Sequence, residues 1–264
     1  MTKIVPAVLA AVLGLTASAG AQMSGASTEG ERFYGRAEYL MWWTKDSPER
    51  APLVSNGLLS DPSTQVFMGG QDIDLGQRNG VRLTLGYWLT ADRGWGVEAS
   101  GFYLPTVTER RSVASSGLPG STNLAVPFFD PNRGKEAFSL LSLSSGSEPF
   151  SGSATQELSS RLWGADGNVV MGLVNTAPWR VELLAGFRYL NLSERFSFGT
   201  STPDLPPGPV TVFLAQDVFD ATNDFYGGQL GVRGRYQSGR WMADATLKVA
   251  VGPCGRAWTS PVLP

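Results

Sequence analysis

Five carboxylates and seven basic side chains recur at alternate positions inside segments that are otherwise apolar: Glu38, Glu98, Asp166, Glu182 and Asp244, with Arg36, Arg82, Arg180, Arg188, Arg233, Arg235 and Lys248. Paired carboxylates can divide acid and base roles, as in glycoside hydrolysis, where the two groups flank the scissile bond at a set separation. No pair here is placed by spacing for that task. Mixed charges gathered on one face have a second use, because rings of charged side chains line channels and tune which ions pass. Their third use is structural, as ion pairs that fill a narrow barrel. The structural use is favoured, since small barrels are packed with side chains and only wide ones leave a channel.

Other chemistry is excluded residue by residue. The chain has no histidine, which removes Ser-His and Cys-His nucleophiles and His-metal sites. It has neither Gly-x-Ser-x-Gly nor a Walker-type loop. Gly94-Trp95-Gly96-Val97-Glu98-Ala99 satisfies Gly-x-Gly-x-x-Ala, but it opens a strand instead of leading into the helix that a phosphate cradle needs. Asp72-Ile73-Asp74-Leu75-Gly76 resembles the start of a calcium loop without the later bidentate Glu. Cys254 is the single cysteine, so no internal disulfide can form. No catalytic residue, metal ligand or cofactor is assigned, and a net charge of −2 gives no basic footprint for nucleic acid.

The elements that carry the charges are strands. Seven segments of about ten residues alternate with period two: Phe33 to Trp43, Val81 to Leu89, Trp95 to Tyr103, Trp163 to Leu173, Trp179 to Tyr189, Tyr226 to Tyr236 and Trp241 to Val251. Within Trp179 to Tyr189, the face of Trp179, Val181, Leu183, Ala185, Phe187 and Tyr189 opposes Arg180, Glu182, Leu184, Gly186 and Arg188. In all seven, the large apolar face holds no charge and the twelve charged residues named above lie on the other. Arg or Lys facing lipid near the midplane costs about 2–4 kcal/mol, so a one-residue slip is prohibited and register is specified. The apolar faces are expected to meet outer-membrane lipid, with the charges facing the lumen.

Aromatics stand at both ends of these faces. Phe33, Trp95, Trp179, Tyr236 and Trp241 lie near one end, and Trp43, Tyr103, Trp163, Tyr189 and Tyr226 near the other. Eight to ten tilted residues separate such rings by roughly 20–25 Å, the spacing of two interfacial girdles. A soluble sandwich would also alternate, yet has no reason to place Trp and Tyr at both rims. Residues 1–21 have the form of a signal peptide: Lys3, an apolar run from Ile4 to Leu15, and Ala19-Gly20-Ala21 as the cleavage site. The run is too short and too broken by Pro6 and Gly14 to span a bilayer. The barrel domain is thus expected over 22–264, exported to a bacterial outer membrane.

Connections alternate in length. Short ones fall at Ala91 to Gly94, near Asn175 to Pro178 and at Gln237 to Arg240, and long external loops near 44–80, 105–161 and 191–225. Short periplasmic turns and long external loops are the outer-membrane pattern, which puts the N-terminus in the periplasm. Within the third loop, Arg195 to Phe198 and Val210 to Phe219 extend the flanking strands as a hairpin.

On these residues the chain resembles the putative beta-barrel porin family designated seven. Ala37 to Trp43 is similar to its opening strand, and Arg82 to Trp88 followed by Trp95 to Glu98 to its next hairpin. Pro127-Phe128-Phe129, Leu162 to Asn168, Leu184 to Leu190 and Asn223 to Gly231 are similar as well. The resemblance implies an all-β, antiparallel, transmembrane up-and-down β-barrel. About seven to eight strands are expected in this chain, incomplete if the count stops at seven. Family members continue past Gly252 through further strands, whereas Pro253 to Pro264 lacks alternation; a truncated or frameshifted end is expected. Closure then needs a poor eighth strand from the tail, strand pairing between chains, or a homo-oligomer. The implied function is a porin-like channel or structural wall component without catalysis. The alternative is a surface-binding barrel whose external loops engage a ligand or envelope partner.

Overall fold

A computed structural model describes residues 10–12, 32–146, 148–203, 211–239 and 241–259. Among them every regular element is a strand. In chain order these are β1 (Ala10–Val12), β2 (Phe33–Trp43), β3 (Pro52–Ser55), β4 (Val66–Gly69), β5 (Gln77–Trp88), β6 (Trp95–Ser115) and β7 (Leu124–Asp130). They continue as β8 (Lys135–Ser142), β9 (Gly152–Thr176), β10 (Trp179–Pro203), β11 (Val212–Ser238), β12 (Trp241–Val251) and β13 (Cys254–Thr259). β12, β11, β10, β9, β6, β5 and β2 form one antiparallel up-and-down sheet. It curls until Arg36 on β2 reaches Asp244 on β12, with both guanidinium nitrogens 3.2 Å from the carboxylate oxygens.

Burial is inverted relative to a soluble protein. On the outward face Trp43 is 71% and Leu230 69% exposed, while inside Glu98 is 4% and Arg233 5% exposed. An apolar surface of this extent has no stable contact with water, and hydrocarbon is the solvent that suits it. The aromatic rings join across strands: Trp163, Tyr189 and Tyr226 stack in a row with centroids 5.1 and 4.9 Å apart, and Trp179 meets Tyr236 at 4.7 Å at the opposite rim.

The segments between membrane strands are themselves built of strands. β6, β9, β10 and β11 run 21, 25, 25 and 27 residues, far beyond the 9–11 or so that cross a bilayer. Their outer ends, together with a second sheet in the order β4-β3-β7-β8, make an external cap. Its core is Val54, Met68, Leu124 and Leu141 packed on Ala154 of β9 and Phe198 of β10. The β10–β11 hairpin stays paired out to Pro203 and Val212.

Among the described residues the tail supplies no eighth strand. Cys254 to Thr259 pairs with β11 at Phe225 to Asp220, in unbroken register with β12, so β13 prolongs the seventh strand outward. Gly252 permits this continuity, because a Cβ there would sit 1.8 Å from the Tyr226 carbonyl oxygen. Among the described residues β12 is bordered on its other side by Ala10–Val12 alone, paired with Ala250 to Lys248. These three residues fall in the stretch read as a leader, whose cleavage site lies outside the described residues.

Beyond the membrane strands, Glu49 is tucked against β9. Gln156 Nε2 donates to Glu49 Oε2 at 2.7 Å, while Glu49 Oε1 and Gln156 Oε1 have no partner among the described residues. Burial raises the Glu49 carboxyl above its usual range, against the opposing pull of Gln156 and Arg111. An acid with a raised folded pKa stabilises the fold as pH drops from above that pKa and loses this contribution as pH rises through it.

Two expectations follow. Leu230→Arg, near the middle of the Tyr226 to Tyr236 run, should lower stability in vesicles by about 2–4 kcal/mol in a denaturant titration. Leu214→Arg, at a site 76% exposed but on the external hairpin, should cost little; equal costs would remove the bilayer from this face. Protection factors of the amides over residues 44–50, with the intrinsic pH dependence of exchange divided out, should rise as pH is lowered through the carboxylate range, and Glu49→Gln should abolish that rise.

Candidate functional site

The inward face of each strand runs through layers. Along β2 it reads Tyr34, Arg36, Glu38, Leu40, Trp42, and the antiparallel register with β5 sets Glu38 opposite Arg82. At the turn end, Tyr34, Trp88, Val170 and Leu184 form an apolar layer. Above the charges, Leu40, Phe102 and Leu104 pack with Trp42, Leu162 and Leu190 in a second apolar layer. Leu40, Leu104, Val170 and Leu184 are fully buried. On β2, β5 and β9 the charged and polar groups lie between these two clusters, whereas on β10 Glu182 and Arg180 lie on the turn side of Leu184.

The charged groups form three clusters, the first two linked to each other. In the first, Arg233 lies between two buried carboxylates, 2.7 Å from Glu98 and 3.1 Å from Glu182, and the Tyr34 hydroxyl donates to Glu98 at 3.2 Å. Gly86 makes room for that tyrosine: a Cβ there would overlap its ring at 2.1 Å. The second centres on Asp166. Lys248 Nζ at 2.8 Å, Asn168 at 2.7 Å and Gln229 at 3.1 Å donate to its Oδ1, and Ser100 at 2.9 Å and Arg188 at 3.3 Å to its Oδ2. Lys248 links the two clusters through a 3.8 Å contact with Glu98. In the third, Asp244 binds Arg36 and, at 3.1 Å, Arg235, and Glu38 is shared by Arg36 and Arg82 at 3.8 and 3.7 Å. Arg180 stands apart at the turn, donating to Asn175 at 3.0 Å.

The structure thus brings eleven of the twelve charged positions into two contact networks, of six and five residues, and leaves Arg180 apart from both. Sequence reasoning missed the neutral members Tyr34, Asn168 and Gln229, and also Arg78. Arg78 is almost wholly buried where the outer apolar layer meets the cap, donating to Ser160 Oγ and O and to the Pro105 carbonyl. Its signal was present: it shares the parity of Arg82 on β5.

Chemically, every inward carboxylate is held by a cation, so none is placed as a free base or nucleophile. Among the described residues no group of His, Cys, Asp and Glu could hold a metal ion. A cavity of about 120 Å³ remains inside the charged level. Its charged lining is Arg36, Arg82, Arg188, Arg233 and Lys248 with Glu38, Glu98 and Asp166.

The profile of the family described as Putative beta barrel porin-7 matches residues 34–259. No curated protein and no solved structure matches the chain.

Arg233→Met would leave Glu182 buried without a cation and Glu98 with only the longer contact to Lys248, a change expected to cost about 3–5 kcal/mol of stability. Replacing Arg233, Glu98 and Glu182 together by apolar residues of similar volume should recover much of the loss; a single change as mild as the triple would mean that Arg233 does not organise the interior.

Proposed function

The chain belongs to the Putative beta barrel porin-7 family, and from that premise we propose that it is an outer-membrane barrel without catalytic activity, serving as a wall component with its interior closed at rest. Export is directed by a leader over residues 1–21 that is then cleaved, and the membrane partner is outer-membrane lipid. The observation that carries the closed state is the packing of the lumen, where cross-linked charged groups fill the interior and Leu40, Leu104, Val170 and Leu184 beside them are fully buried. A conducting lane would have to part the ion pairs of Asp166 and Glu98, where charged rings set selectivity. Nucleic acid has no place in this reading, for want of a basic surface stripe.

A surface-binding role is the second reading, favoured by the external cap. Phe128 and Phe129 on β7 and Phe213 and Leu214 on β11 are exposed there, beyond the strand length a bilayer covers. Exposed rings on loops carried by a rigid scaffold are a common basis for recognition. Oligomers are part of the proposal too: the free edges of β2 and β12 suit a further strand, supplied by another copy.

The full chain, folded into detergent, should migrate differently before and after boiling. In planar bilayers it should give no large steady conductance, while neutralising Asp166 should produce frequent openings. Sustained wild-type conductance would discard the closed state. Unchanged migration on boiling would discard the folded barrel.

A further inference from the structure

The interior network does not balance. Across its three clusters, six cations, Arg36, Arg82, Arg188, Arg233, Arg235 and Lys248, face five carboxylates, Glu38, Glu98, Asp166, Glu182 and Asp244. One positive charge is left over, and the contacts show where it sits. The other five cations each lie within 3.3 Å of a carboxylate oxygen. Arg82 has only Glu38, at 3.7 Å, and Glu38 is shared with Arg36. Arg82 makes no hydrogen bond among the described residues. Its guanidinium rests near the Trp42 and Phe102 rings, 6.0 and 5.9 Å from their centroids. Those contacts orient the group and leave its N–H donors unused.

These unused donors line the cavity of about 120 Å³. That space equals roughly four water molecules at about 30 Å³ each, enough for a small anion and too small for a sugar or nucleotide. Arg36 and Arg82 each keep about a quarter of their side-chain surface accessible, at 25% and 23%, so the cavity is reached by solvent. A planar fork of donors matches the oxygens of an oxyanion better than a spherical ion.

We propose that this cavity is a binding site for a small oxyanion, of the phosphate or simple carboxylate class, held chiefly by Arg82. The anion supplies the negative charge that the network lacks. The site needs the barrel to be folded and is independent of whether the lumen conducts.

The test is calorimetric titration of the detergent-folded full chain with inorganic phosphate at fixed ionic strength. Saturable binding is expected. Arg82→Gln should weaken it about tenfold or more, the value of a charge-assisted bond. Glu38→Gln, which removes the competing carboxylate, should strengthen it. Arg180→Gln, at the turn and outside the cavity, should leave it unchanged. Heat-modifiable migration is recorded for each protein, and Arg82→Lys, keeping charge without the fork, takes the place of a glutamine variant that fails to fold and should also bind more weakly. Saturable heat with no loss in either Arg82 variant would show an adventitious ion only. Absence of binding by folded wild type and folded Glu38→Gln would overturn the site, whereas an unshifted wild type would instead indict the barrel.

Discussion

Hydrocarbon tolerates neither a charge nor an unpaired backbone hydrogen-bonding group, and everything in this structure answers to that constraint. A strand satisfies it on one face only by sending every polar side chain to the other. Period-two alternation is therefore the condition for each segment to sit in the bilayer at all. Leu83, Leu85 and Tyr87 face out on β5 while Arg82 faces in, and no slip of one residue is affordable.

Sending the charges inward creates a second problem. A narrow interior is poor in water, so charges gathered there must find one another. The structure meets this by levels. Antiparallel register sets Glu98 opposite Asn168, Ser100 opposite Asp166 and Asp166 opposite Arg188, so inward polar groups meet across neighbouring strands. Apolar clusters pack against the charged groups toward both ends, and a small cavity among them stays within reach of solvent. Asp166 shows how completely a group can be absorbed: five donors from β6, β9, β10, β11 and β12 converge on its two oxygens. Such a residue ties the wall of the barrel together and is withdrawn from chemistry by the same contacts.

What was legible in the sequence follows the same line. Inside the bilayer the two faces of a strand have opposite solvents, so the pattern is loud, and the seven segments and the antiparallel class could be read from it. Outside, both faces of β9 meet protein or water. Ser153, Thr155, Glu157 and Ser159 oppose Ala154, Gln156, Leu158 and Ser160, a contrast too weak to mark a strand, and the outer halves of β6 and β9 pass for loop. The cap strands β3 and β4 are four residues each, too short for any period to show. Which residues share a face was legible, because strand geometry fixes it. Which of them touch was not, since that depends on the height of each strand against the next. Arg78 fell between these cases: its parity matched, yet it preceded the first clearly alternating residue.

The constraint also bears on the two edges of the sheet. Neighbours alternate in direction through seven membrane strands, so β2 and β12 run the same way and cannot close on each other with the antiparallel ladder used everywhere else. Side chains bridge where backbones do not, as Arg36 binds Asp244 across the lumen. A side-chain bridge leaves the facing N–H and C=O groups of both edges in hydrocarbon, where each unpaired group costs several kcal/mol. Only a strand running inward, antiparallel to both, satisfies the two edges at once. Ala10–Val12 lies against β12 in that direction, over three residues opposite Lys248 to Ala250. The edge therefore accepts an apolar strand in this orientation, and the physics of the bilayer sets its required length at the full height of the apolar band.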